Sequence, residues 1–191
     1  MNWLQKICPI LIGLYSLIYM PKATADTLDK EVSSFISGEG TVLYLGTGVA
    51  LPLLIDGKEG GQKSLRTLDS LGTSSLLCIG LKQVTRVKRP DSDSRDSFPS
   101  CHATAAFAVA TMQSHYHPDT AILWYSGASL IAYSRLNLNR HRITEVLTGA
   151  ALGYLTARLE LSQKRGLILF PLINNNQVGD TIVGMQIVGS F

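Results

Sequence analysis

Five apolar stretches recur along the chain, at residues 41–55, 71–87, 103–114, 120–133 and 144–159. They are rich in Ala, Leu and Met rather than in β-branched residues, and each is long for a strand, so they predict helices. Their uncharged continuity predicts burial on most sides. Asp56-Gly57 and Gly60-Gly61 are read as the stop of the first helix, and Pro90-Asp91 and Pro99 bracket a loop rich in Ser and Asp. His117-Pro118-Asp119 breaks the chain again, with Asp119 as the expected N-cap of the next helix. Beyond Gly166, Leu167-Ile168-Leu169-Phe170 and Thr181-Ile182-Val183 flank a turn at Asn174 to Asn176, which predicts a short β-hairpin or extended tail.

The expected fold class is therefore all-α, a helical bundle with a short extended or hairpin segment at its end. The expected division is a leader at 1–25, a lead-in at 26–40, a helical domain at 41–160 and a tail at 161–191. After the leader, no stretch reaches about eighteen uncharged apolar residues without interruption, which favours a soluble bundle over a multi-spanning protein. The stretch 120–133, bounded by Asp119 and Arg135, could still seat as a short membrane helix.

The first residues change the picture of where the protein works. Lys6, an uncharged run from Ile7 to Met20, Pro21 and the small-residue site Ala23-Thr24-Ala25 together predict a secretory signal peptide cleaved after Ala25, in preference to an uncleaved anchor. The expected location is the periplasm or cell envelope, with contact to a membrane surface. Charged residues make up 16% of the chain, well below the usual quarter, so a disordered charged tail is excluded. The net charge of +3 falls to +1 once Lys6 and Lys22 leave with the leader, too little to predict nucleic-acid binding. Cys78 and Cys101 remain; an exported protein permits a disulfide, but spacing alone cannot place two sulfurs within bonding range, and two buried free thiols are the simpler expectation. Neither a C-x-x-C pair nor a Cys/His ligand cluster occurs, so no metal site is expected.

Candidate chemistry is confined to three clusters. Lys82 and Arg89 lie seven residues apart, nearly two helical turns, which would put both cations on one face of a helix ended by Pro90. Pro99-Ser100-Cys101-His102 opens the next apolar segment, so a hydroxyl and the free N–H groups of a helical first turn share one space, an arrangement suited to an anion. Arg135 brings a forked donor matched to phosphate oxygens, and Glu145 four residues after His141 can hold one ring nitrogen while the other faces the anion. By contrast Arg86, Lys88, Arg140 and Arg142 are expected to be solvated surface charges, and His115 and His117 exposed residues flanking a turn. Phe107 and Tyr133 are expected in the core. Gly149 and Gly153 are expected where helices approach closely.

The three clusters resemble the signature motifs of the PAP2 superfamily, the type 2 phosphatidic acid phosphatases and vanadium haloperoxidases: K-x6-R-P, P-S-G-H and S-R-x5-H-x3-D. Lys82 to Pro90 has the full first spacing, Pro99 to His102 matches the second, and Ser134-Arg135 through His141 to Glu145 matches the third. The resemblance implies His141 as a nucleophile that forms a phosphohistidine, with Glu145 orienting it. It implies His102 as the acid that protonates the leaving oxygen and then the base that activates water. Lys82, Arg89, Arg135, Ser100 and the backbone of Cys101 would bind the phosphate. No cofactor is expected, and vanadate would act as a phosphate-mimicking inhibitor.

Two positions depart from the pattern. Cys101 stands in place of the family's Gly, where a side chain could crowd the phosphate. Glu145 stands in place of Asp, one methylene longer, a displacement of roughly 1 Å that can cost on the order of a hundredfold in rate. The implied function is a phosphatase acting on phosphate monoesters or on lipid phosphates and pyrophosphates of the envelope. The alternatives are a non-catalytic protein of the same fold that binds phosphate or lipid headgroups, and a vanadate-dependent haloperoxidase.

Overall fold

A computed structural model describes residues 30–163, 172–175 and 181–184 of the 191-residue chain. The signal peptide expected at 1–25 lies outside the described residues. Among the described residues six α-helices follow one another: α1 Lys30–Phe35, α2 Thr41–Ile55, α3 Gly60–Thr85, α4 Cys101–Tyr116, α5 Ala121–Asn137 and α6 Ile143–Ser162. A π-helical turn, Ile36–Gly40, joins α1 to α2 without a break. The stretch expected to be a lead-in is thus helical from Lys30 onward, and with α2 it forms one helix long and apolar enough to cross a membrane.

Helix boundaries correct the sequence reading in three places. Gly60 and Gly61 open α3 instead of ending α2, because Gly60 sits against the Pro52 carbonyl; a Cβ there would lie 2.2 Å from that oxygen. The helix carrying Lys82 ends at Thr85 with Arg86 in the left-handed conformation, so Arg89 lies in a loop and not on the helical face that its spacing suggested. Asp119 is no cap: Pro118–Thr120 forms a 3-10 turn, and Thr120 occupies the N-cap position of α5 without a side-chain bond. At the far end β1 Leu172–Asn175 pairs antiparallel with β2 Thr181–Gly184, so Asn174 and Asn175 belong to a strand and not to the expected turn.

Helix α4 is the central element and packs against α2, α3, α5 and α6. Its Ala103, Ala106, Ala108 and Ala110 are fully buried, which keeps the helix slim enough for close neighbours. The closest is α6, where a Cβ on Gly149 would lie 2.4 Å from the Ser100 carbonyl and one on Gly153 2.0 Å from that of Thr104. Both glycines therefore set the approach of the two helices. Phe107 and Tyr133 join the core with Trp124, Tyr125 and Ile131.

The outer helices bury their polar side and expose their apolar side. Helix α3 buries Ser64, Thr67, Asp69, Ser70, Thr73 and Ser74 and exposes Leu65, Leu68, Leu76, Leu77, Ile79 and Leu81. Helix α2 buries Thr41, Gly48 and Pro52 while Val42 is 71% and Leu54 79% exposed. The expected burial of these stretches on most sides is not what the fold provides. Water would drive such leucines inward, because burying each is favourable by about 1.5–3 kcal/mol.

Cys78 on α3 and Cys101 at the start of α4 form a disulfide, with their Cα atoms 5.7 Å apart. The free-thiol expectation is corrected: packing of α3 on α4 brings together two sulfurs that are 23 residues apart in sequence. Closing a loop of this size constrains the unfolded chain by about 3 kcal/mol. Replacing both cysteines by serine is therefore expected to lower unfolding stability by about that amount, measured by thermal melts against the oxidised parent.

Candidate active site

The chemistry-bearing residues gather at one end of the bundle, where α3 and α5 finish and α4 and α6 begin. Pro99 precedes α4 and Ser100 is its N-cap, in extended conformation. The N–H groups of Cys101, His102 and Ala103 fall in the first turn and have no partner within the helix. Thr104 is the first to bond back, to the Ser100 carbonyl at 2.9 Å. Ser100 is fully buried, and its hydroxyl has no hydrogen-bond partner among the described residues.

His141 lies two residues ahead of α6, and not within it, and is buried. Its Nδ1 is 3.1 Å from Oε2 of Glu145. Glu145 reaches back because it is the third residue of the helix in a capping box: the Arg142 N–H donates to Oε2 at 3.0 Å, and the Arg142 side chain donates to Oε1 at 2.9 Å. The Ser97 hydroxyl adds a bond to Oε2 at 2.5 Å. Four donors or partners thus fix a buried carboxylate, and the extra methylene of Glu145 is taken up by this cage. The displacement expected from Glu in place of Asp does not arise, since the carboxylate is within bonding range of the imidazole. Arg142 is correspondingly more than a solvated charge.

The cations come from three elements. Lys82, in the last turn of α3, donates to the Asp96 carbonyl, and Arg89 forks onto the Asp96 carboxylate at 2.7 and 3.0 Å. Arg135, in the last turn of α5, is buried; one of its terminal nitrogens donates to Ser37, and its Nε has no partner among the described residues. Of the remaining cations, Lys88 pairs with Asp93 at 2.6 Å and Arg140 with Asp91 at 2.8 Å. His117, expected to be exposed, is half-buried at the opposite end of α4 with Nε2 3.3 Å from Asp56, while His115 is exposed as expected.

Burial and this concentration of positive charge act together on the two histidines. His141 is pushed down to about 4, first by burial and then by Lys82, Arg135 and Arg89, against the opposing pull of its bond to Glu145. His102 is also pushed down to about 4, by burial first, then by Arg135 and His141. Both rings are therefore neutral near pH 7. Asp96 is held below the usual carboxylate range by its bond to Arg89, and the same bond raises the guanidinium.

All eight residues singled out in sequence (Lys82, Arg89, Ser100, Cys101, His102, Arg135, His141 and Glu145) converge on this end. Cys101 contributes its backbone; the disulfide ties its side chain to α3, in place of the crowding of the phosphate expected from a side chain at this position. Ser97, Asp96 and Ser37 were not singled out. Ser97 and Asp96 stand in the loop that joins the first two motifs, and their polar character was the only sequence signal for them. Among the described residues no group of three or more His, Cys, Asp and Glu side chains could hold a metal ion.

The sequence profile of the PAP2 superfamily matches residues 63–168, a span that holds all three motifs. The chain belongs to the PAP2 superfamily. A lipid A 1-phosphatase of Porphyromonas gingivalis is 41% identical over 76 residues, which cover 37% of this chain and 17% of that protein. The chain thus spans about a sixth of the length of this relative. The crystal structure of a transmembrane PAP2 type phosphatidylglycerolphosphate phosphatase from Bacillus subtilis superposes with a TM-score of 0.48 at 21% identity, covering 83% of this chain and 94% of the other. The superfamily match begins at residue 63, so α1, the π turn and α2 lie ahead of it.

Proposed function

We propose that the protein is a phosphatase that hydrolyses lipid phosphates of the cell envelope through a phosphohistidine at His141. The observation that carries this reading is the convergence of Lys82, Arg89 and Arg135 with the α4 N-terminus on one neutral imidazole. Two buried groups at the same place, the Ser100 hydroxyl and Arg135 Nε, have bonding capacity that no atom of the described residues uses. Phosphoryl transfer is chiefly a matter of positioning and charge stabilisation, and these groups supply both.

In the first step His141 attacks phosphorus with the ring nitrogen that Glu145 does not engage, and the P–O bond to the leaving group breaks. His102 gives its proton to the departing oxygen. Bound phosphate favours the charged form of this histidine by offsetting the nearby cations. In the second step His102 takes a proton from water, whose oxygen attacks the phosphohistidine and releases inorganic phosphate. Glu145 holds the His141 ring and offsets the positive charge that it acquires.

The lipid preference follows from the inverted surface. The exposed leucines of α2 and α3 are joined by Ile122, Leu123 and Leu130 on α5 and by Leu155 and Leu159 on α6. An apolar belt of this extent is stable when lipid chains cover it. The catalytic end, with the first turn of α4, the last turns of α3 and α5 and the loops at 86–100 and 138–142, then stands beyond the hydrocarbon. This reading replaces the soluble bundle expected from segment lengths. Export is proposed with it, since a structural disulfide suits an oxidising compartment. The two departures that motivated a non-catalytic reading, Cys101 and Glu145, are both accommodated by the geometry.

The test is phosphate release by the full chain in detergent micelles. Phosphatidic acid, phosphatidylglycerol phosphate and undecaprenyl pyrophosphate would be compared with soluble esters such as p-nitrophenyl phosphate. Higher kcat/KM on the lipids is expected, and no release from any of them would sink the proposal. The Glu145 cage adds a second expectation. Glu145→Gln keeps the length but loses the charge, and Glu145→Asp keeps the charge but cannot span Ser97, Arg142 and His141 at once. Both are expected to lower kcat by about ten- to a hundredfold. An unimpaired Glu145→Asp enzyme would show that the cage does not set the position of His141.

A further inference from the structure

Ser33, Ser37 and Thr41 recur every four residues ahead of the family-matched region, and all three are buried. Two of them face the end of α5: Asn137 donates to the Ser33 hydroxyl at 2.8 Å, and Arg135 donates to that of Ser37. Ser37 lies within the π turn at 36–40. A π turn widens the backbone ring by one residue and leaves carbonyls off the α-helical ladder, and such turns are often found at functional sites. The Thr41 hydroxyl takes up the Ile36 carbonyl at 2.8 Å. Gly40 suits this backbone path, since a Cβ there would lie 3.1 Å from the Phe35 carbonyl oxygen.

Resting on the phosphatase reading above, we propose that the π turn belongs to the active site, with Ser37 as a positioning residue for Arg135 through its hydroxyl. With one terminal nitrogen held by Ser37, the guanidinium keeps its Nε directed at the anion and is not free to swing. One residue outside the family's motifs thereby sets the geometry of a phosphate-binding cation.

The test uses the full chain in micelles and two independent readouts. Ser37→Ala removes the hydroxyl and keeps the carbonyl. It is expected to weaken vanadate binding, measured directly by calorimetry, and to raise KM, each by about tenfold, with kcat changed much less. Ser37→Thr restores the hydroxyl and is expected to recover most of that loss. Unchanged vanadate affinity and KM in Ser37→Ala would overturn the proposal. Failure here with wild-type turnover intact would leave the phosphatase reading standing. Wild-type protein that neither binds vanadate nor releases phosphate would remove both.

Discussion

Replacing His141 by alanine is expected to cut phosphate release by at least about a thousandfold, since loss of a nucleophile removes the covalent route and not merely a contact. Vanadate should still bind. Lys82, Arg89, Arg135, Ser100 and the free N–H groups of α4 all remain in that variant, and none depends on the imidazole for its position: Asp96 holds the first two cations and Ser37 the third. The expected signature is therefore a loss in kcat with vanadate affinity retained to within about tenfold. A variant with substantial residual kcat would remove His141 as the nucleophile. The free enzyme's requirement for a neutral ring also fixes the direction of the pH response. With His141 pushed down to about 4, its protonation should cost activity only as pH approaches 4; because His102 must be charged to act as the acid and is pushed down likewise, kcat/KM on lipid phosphates should rise on acidification from pH 7 towards that limit and then fall.

Replacing His102 by alanine should divide substrates by leaving group. An alkoxide leaving from a lipid phosphate needs a proton, so release is expected to fall by about a hundred- to ten-thousandfold, the range of general acid catalysis. With p-nitrophenyl phosphate, whose phenolate leaves without help, the first step should be nearly unaffected and the residual loss should come from slower attack of water on the phosphohistidine. A burst of p-nitrophenol followed by slow turnover is the form this would take. Equal losses on both substrates, without a burst, would contradict the acid–base function of His102.

Much of the site was legible because its chemistry resides in residue types at fixed spacings. Lys82 with Arg89, Ser100 with His102, and Arg135 with His141 stand out in an otherwise weakly charged chain, and the helices that they sit on or beside were visible as apolar stretches. Asp96, Ser97 and Ser37 were not legible for a common reason. Each acts through a partner distant along the chain, as Ser97 does with Glu145 and Ser37 with Arg135, and a lone Ser or Asp in a polar segment has no pattern that announces such a partner. The disulfide was hidden likewise, since spacing says nothing of how α3 lies on α4.

The inverted surface was legible in principle. Along α3, Ser64, Thr67, Ser70 and Ser74 recur at three- and four-residue intervals, and the leucines at 65, 68, 76 and 77 lie off that line. Reading the apolar stretches for continuity alone, without asking which face carried the hydroxyls, led to expected burial where the fold exposes leucine. The helix ends were obscured by local contacts: Gly60 reads as a stop, yet it is a close approach to Pro52 that requires it.

The central claim is a covalent phosphohistidine at residue 141, and trapping it tests that claim most directly. The full chain would be mixed with 32P-labelled lipid phosphate in micelles, quenched under alkaline conditions that preserve phosphohistidine, and mapped by peptide mass. Label is expected on the peptide containing His141, absent in His141→Ala and accumulated in His102→Ala supplied with a good leaving group. Turnover without label at His141, or label that persists in His141→Ala, would contradict it.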